Sequence, residues 1–171
     1  MTSRTERSLR SDYPHLHLIT TRWHDNDVYG HVNNVQYYAF FDTTVNHFLL
    51  ENKVLDFERG EVIGLVVETG CRYFAPISFP ERVIAGLRVA SIGHSSVRYE
   101  IGLFRAEKGD ERDDFAVGQE RAIAEGHFVH VYVDRHQRRP KSLPQALRQV
   151  LESILIRPRE RTSLERNATS G

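Results

Sequence analysis

Residues 24–34, HDNDVYGHVNN, run straight into residues 35–50, VQYYAFFDTTVNHFLL, and the reading of this junction decides the fold. The first stretch gathers two carboxylates, two histidines and three asparagines around one glycine, Gly30. The second is a helical pattern, with Val35, Tyr38, Phe41, Val45, Phe48 and Leu49 on one stripe. Tyr37, Phe40 and Leu50 widen that stripe beyond a single face, and a helix apolar over so much of its surface is expected to be wrapped by other structure. Asn33 or Asn34 is the expected N-cap, because its side-chain oxygen can accept from the first unpaired backbone N–H groups. The helix is expected over 34 to about 51.

The flanking sequence is mostly strand-like. HLHLITTRW (15–23) alternates Leu16, Leu18 and Thr20 against His15, His17 and Ile19, the period of a strand. VIGLVVETGCRYF (62–74) is β-branched. ERVIAGLRVASI (81–92) and SVRYEIGLF (96–104) alternate around a Gly93-His94 turn and read as a hairpin. FAVGQERAIAEGHFVHVYV (115–133) is longer, with room for a bulge, and puts the small residues Ala122, Ala124 and Gly126 on one face, where a bulky helix can lie close. PQALRQVLESIL (144–155) is an amphipathic helix. Four consecutive strands with short connections favour an antiparallel meander. One sheet curled around one helix would bury both the meander and the early helix.

Composition sets bounds. A chain of 171 residues suits one domain. The formal net charge is zero, which argues against a general nucleic-acid or membrane-surface role. Charge is nevertheless uneven, with nine Arg/Lys against four acids in residues 134–171. Cys71 is the only cysteine, so no intrachain disulfide can form and a reducing, cytoplasmic setting is expected. No apolar run is long enough to span a bilayer, and the polar start MTSRTERSLRSDYP lacks a signal-peptide core. The expected organisation is a flexible segment 1–12, one domain over 13–156 and a disordered tail 157–171. No metal-ligand spacing and no phosphate-binding glycine loop is present, so neither a metal nor a separate cofactor is expected.

Four stretches together resemble the hotdog-fold acyl-CoA thioesterases, in the subgroup of the 4-hydroxybenzoyl-CoA thioesterases. They are RWHDNDVYGHVNNVQYYAFFD (22–42), RYFAPISFPERV (72–83), SIGHSSVRYEI (91–101) and AEGHFVHVYVDRHQRRPKSLPQAL (124–147). The resemblance implies an α+β hotdog fold, in which a five-stranded antiparallel sheet wraps a long central helix and a C-terminal helix follows. It also implies a homodimer or homotetramer with active sites at the dimer interface, and an acyl-CoA substrate whose coenzyme A is part of the substrate. Thioester hydrolysis needs a carboxylate to activate water or attack directly, and donors for the oxyanion, which a helix N-terminus can supply.

Matched to the family motif, the catalytic carboxylate falls on Asp27, three positions before Gly30. The oxyanion donor falls on the backbone N–H of Asn34, four positions after it. His31 joins them as a candidate catalytic group. Gly30, Asn33 and Tyr38 are candidates for substrate contact, with Tyr37 and Phe41 helping to shape the acyl pocket. Glu68 lies on the strand that supplies the carboxylate in some relatives. Arg88, Arg139 and Lys141, with Arg98, Arg135 and Arg138 behind them, are candidates for the coenzyme A phosphates. Asp25 reads as structural, since Asx residues favour turns. Two other classes remain open at this point: a non-catalytic acyl-CoA-binding regulatory hotdog protein, and a hotdog dehydratase or hydratase.

Overall fold

The computed structural model describes residues 6–107 and 118–156, so the expected tail 157–171 lies outside the described residues. The elements are β1 (His15–Thr20), α1 (Asn34–Glu51), β2 (Val62–Tyr73), β3 (Arg82–Ile92), β4 (Ser96–Arg105), β5 (Ala124–Asp134) and α2 (Gln145–Glu152). They form one five-stranded antiparallel sheet curled around α1, with α2 following. Among the described residues no helix is long and apolar enough to cross a membrane.

The strand order is β1-β3-β4-β5-β2, which corrects the four-strand meander. Strands β3, β4 and β5 do follow one another. Strand β2 pairs with β5 instead of β3, because β1 has taken the free side of β3. The connection 74–81 therefore carries the chain from one edge of the sheet across to β3, next to the opposite edge, and β2 is left as an edge.

Helix α1 begins as the sequence indicates, with Asn33 as N-cap and its side chain accepting from the Val35 N–H at 3.2 Å. Its buried face is Tyr37, Phe40, Phe41, Thr44, Val45, Phe48 and Leu49. The helix is not wrapped on all sides: Val35 is 58% and Leu50 45% exposed. Phe41 sets how close it lies to the sheet. A Cβ at Gly126 would stand 2.2 Å from the Phe41 ring, so the small residue on β5 is what admits the helix.

Alternation within β1 sorts two cores. His15, His17 and Ile19 face α1, while Leu16 and Leu18 face away and join a smaller outer cluster with Tyr13, Ile84, Phe104 and Ala122. The outer cluster is closed by the chain before β1. Gly86 and Gly102 are paired across β3 and β4, and a Cβ on either would meet the Tyr13 ring at 2.6–2.7 Å. Arg88 covers that ring with its guanidinium 4.6 Å from the centroid. The described part of the segment expected to be flexible is pinned as well. Leu9 bridges Arg121, Arg10 N–H donates to Glu120 C=O at 3.0 Å, and Ser8 N–H donates to the Glu125 carboxylate at 2.6 Å. The pinning is by backbone and ion-pair contacts, which a polar composition does not announce.

Bulges fall in β2 and β3 and not in β5. In β2, Val66 is opposite His130 but Glu68 is opposite Val129, so Val67 is an extra residue. Residues 62–66 and 68–73 are thereby set out of phase with each other.

Candidate active site

The loop before α1 is built on its two aspartates, which have opposite environments. Asp25 is fully buried and spent. One of its oxygens accepts from the Arg22 N–H at 2.7 Å and the other from the Arg22 guanidinium at 2.7 and 3.1 Å, fixing a single helical turn over Trp23–Asp25. Its carbonyl accepts from Asn33 N–H at 2.8 Å. Asp25 is the structural member of the pair, as its position as an Asx turn former suggests.

Asp27 opens a tight hairpin. Asn26 bridges Val32, Asp27 N–H donates to His31 C=O at 2.8 Å, and Gly30 N–H donates back to Asp27 C=O at 3.1 Å. Gly30 makes the reversal with φ +82°, a conformation that costs a side-chain-bearing residue energy. Asp27 is half-buried. One oxygen, Oδ1, accepts from Tyr29 N–H at 2.8 Å, and among the described residues the carboxylate has no ion-pair partner. The hairpin is tied to the β2–β3 connection: Val32 N–H donates to Ile77 C=O at 2.8 Å, and Asn26 Oδ1 accepts from Phe79 N–H at 3.0 Å.

At the helix start, Asn33 uses its side chain for Val35 N–H and its carbonyl for Gln36 N–H. The Asn34 N–H donates to nothing among the described residues, so it is one of the unpaired donors at the positive end of the helix. Asn34 lines a cleft of about 290 Å³ together with His31, Tyr37, Tyr73, Phe74 and Pro76, among others. Tyr73 is a residue that sequence reasoning missed. Its hydroxyl donates to Asn34 C=O at 3.1 Å, and its ring meets Tyr37 edge-on at 4.9 Å. Only its place as the last residue of a strand following a recognised motif could have flagged it. Burial raises the Tyr73 and Tyr37 hydroxyls above their ordinary range and pushes the nearby Cys71 thiol up to about 11. All three are therefore neutral donors near pH 7.

The structure brings His31 and Asn34 into the cleft and Asp27 to the other side of the same hairpin, where it does not line the cleft of a single chain. Asn33 caps the helix. Tyr38 is half-buried one turn further along α1, edge-on to Phe41 at 6.1 Å. Glu68 is not brought to the site, and the bulge is the reason. Without the extra residue it would share the inner face with Val66. With it, Glu68 turns to the outer face and bonds His127 at 2.8 Å and Arg98 at 3.3 Å. Those two partners hold its carboxyl below the usual carboxylate range, His127 first.

The basic candidates are dispersed. Arg88 is engaged on the outer face by Glu100 at 2.8 Å and by Tyr13. Lys141 pairs with Glu61 at 3.4 Å and Asp134 at 3.7 Å, and Arg139 C=O accepts from Asp134 N–H. That places the 139–141 loop beside the start of β2, at the opposite end from Tyr73. Among the described residues no group of three His, Cys, Asp or Glu side chains is placed to hold a metal ion.

Comparison with known proteins bears on this arrangement. The sequence model of the thioesterase-like superfamily matches residues 21–151. The PA5185 protein of Pseudomonas aeruginosa strain PAO1 is 54% identical, with a TM-score of 0.77 over 87% of this chain and 96% of its own. The PA2801 protein of the same species, described as a putative thioesterase, is 26% identical, with a TM-score of 0.69 over 81% of this chain and 98% of its own. Slr0204 of Synechocystis, a 1,4-dihydroxy-2-naphthoyl-CoA thioesterase, shares the fold at 16% identity, with a TM-score of 0.68 over 81% of this chain and 96% of its own. No curated protein sequence matches the chain.

Proposed function

The chain belongs to the thioesterase-like superfamily, and from that premise we propose that it hydrolyses an acyl-CoA to a free carboxylic acid and coenzyme A. The observation that carries the reading is the Asn34 N–H, left unpaired at the mouth of a cleft at the positive end of α1. A thioester carbonyl docked there would gain its oxyanion donor from the backbone, and one such donor is worth about 10²-fold or more in rate. Tyr73 would hold the first turn of the helix in place through Asn34 C=O. His31 would contact the substrate from the hairpin.

Asp27 is the proposed general base or nucleophile. Its carboxylate is half-buried and held only through Oδ1, whereas Asp25 has both oxygens occupied. The site is completed by a second copy of the chain. Strand β2 is an open edge of 12 residues, and its Val66 and Val67 are 48% and 61% exposed, an arrangement that pairs or aggregates unless it is covered. Pairing β2 with β2 of a second copy about a two-fold axis is antiparallel. The 139–141 loop of one copy then lies beside the Tyr73 end of the other, which supports Arg139 and Lys141 as partners for coenzyme A phosphates across the dimer.

Thiol release measured over a panel of acyl-CoA esters tests the reading. Wild type should release coenzyme A, and Asp27→Ala should lose about 10²-fold or more of that rate. Equal rates for the two proteins would overturn the assignment of Asp27. Tight ligand binding without turnover by wild type would favour the regulatory binder.

A further inference from the structure

We propose that Arg7 and Arg72, gathered on Phe74 at the rim of the cleft, form a subsite for the phosphate-bearing end of coenzyme A. The inference rests on the acyl-CoA reading of the same cleft and adds two residues to which the family resemblance assigns no role. Phe74 lines the cleft directly after Tyr73. Two guanidiniums lie over its ring, each 5.7 Å from the centroid. They come from distant parts of the chain: Arg72 from the end of β2, and Arg7 from the arm that crosses the outer face ahead of β1.

The arm is held there by specific contacts. Ser8 N–H donates to one oxygen of Glu125, Arg72 Nη2 donates to the other at 2.8 Å, and Arg7 Nη1 reaches Ala122 C=O at 3.4 Å. Glu125 is therefore the hinge that brings the two cations together, with its side chain 12% exposed while that of Arg72 is 56% exposed.

These contacts contribute little to stability. An exposed guanidinium over a phenyl ring contributes about 0.5–1 kcal/mol. An exposed Arg–Glu pair contributes about 0–1 kcal/mol. Both arginines could be replaced by neutral residues at little cost to the fold, yet they place two cations on the outer face against Phe74, a residue that also lines the cleft holding Asn34. A guanidinium carries five N–H donors in a planar fork, so Arg72 can keep Glu125 and still offer a face to a phosphate. The natural occupant is the anionic part of a thioester whose acyl carbonyl sits at the helix start.

The test compares two esters of one acid, the coenzyme A thioester and the pantetheine thioester, which lacks the phosphates and nucleotide. For the double variant Arg7→Gln/Arg72→Gln, KM for the coenzyme A ester should rise about tenfold or more, with the loss carried by KM rather than kcat. KM for the pantetheine ester should not move. Glu125→Gln keeps an acceptor for Ser8 N–H while removing the charge that holds Arg72 beside Phe74, and should raise KM for the coenzyme A ester alone. Equal shifts for both esters, or none for either, would overturn the subsite while leaving the hydrolase reading intact. If wild type turns over neither ester, the hydrolase reading fails. Calorimetric binding of desulfo-coenzyme A then decides the subsite by itself: affinity about tenfold weaker in the double variant supports it, and equal affinity or no binding by wild type overturns it.

Discussion

The two edges of the sheet are finished in opposite ways. Strand β1 is six residues long and turns its histidines inward onto α1. His17 lies against His47 with ring centroids 4.0 Å apart, and His15 meets Phe48 edge-on at 4.8 Å. Its leucines pack outward under the N-terminal arm. Strand β2 is twice as long, carries a bulge and leaves two adjacent valines largely exposed. A short strand tied down on both faces offers little to a second chain, whereas a long one with apolar side chains and open backbone groups offers a great deal. The molecule thus ties down one edge by itself and leaves the other open, and the cleft lies at the end of the open one.

The largest effect should come from spoiling the open edge. Val66→Lys/Val67→Lys should turn a dimer into a monomer by light scattering and reduce thiol release about 10²-fold or more. A variant that stays dimeric and active would erase the contrast between the edges. Next comes Asp27→Asn, which keeps the Asx turn with Tyr29 and removes the charge. It should lower kcat by about 10²-fold while dimer mass and melting temperature stay at the wild-type values. Should the dimer dissociate, the loop would be serving assembly and not chemistry.

A smaller effect belongs to buried histidines, His15 on the closed edge and His130 on β5. Burial lowers the basicity of His15, opposed by Glu51 and reinforced by His47, and burial likewise lowers that of His130, opposed by Asp42. Their folded-state values fall below the unfolded value of 6.5. The unfolded chain therefore binds more protons in that window, so this stability is present above pH 6.5 and is lost as pH falls below it. A series of melting temperatures from pH 7.5 to 5 should decline, and His15→Leu should flatten the decline by about 2 °C or more. A parallel decline in the variant would show that the closed edge does not titrate. The smallest effect is expected from Thr20→Lys at the exposed end of β1, which should leave mass unchanged and stability within about 0.5 kcal/mol. A drop in dimer mass there would mean that both edges recruit.

Much of this architecture is legible in the amino-acid sequence. The bounds of α1, its Asn33 cap and the space at Gly126 follow from side-chain chemistry that acts within a few residues or on one face. The β3–β4 hairpin follows from alternation and its turn. What is not legible depends on pairing at a distance. Nothing local says that β2 joins β5 and not β3. Glu68 has the right residue type on the right strand, but a single inserted residue, Val67, sends its side chain to the other face. Tyr73 looks like one more aromatic residue at a strand end, and its bond to the helix start exists only once 39 residues of chain have folded back. The two aspartates of the loop look alike in one dimension, and only three-dimensional contacts separate the spent one from the available one.

The cross-strand glycine pair under Tyr13 carries a consequence for divergence. While the phenol occupies that bed, neither position can accept even a methyl group, so all three sites are bound to drift as a set. A relative without the leading arm is free to fill both positions with ordinary side chains. Conversely, two bare alpha carbons side by side in the middle of such a hairpin foretell an aromatic residue arriving from upstream to lie across them.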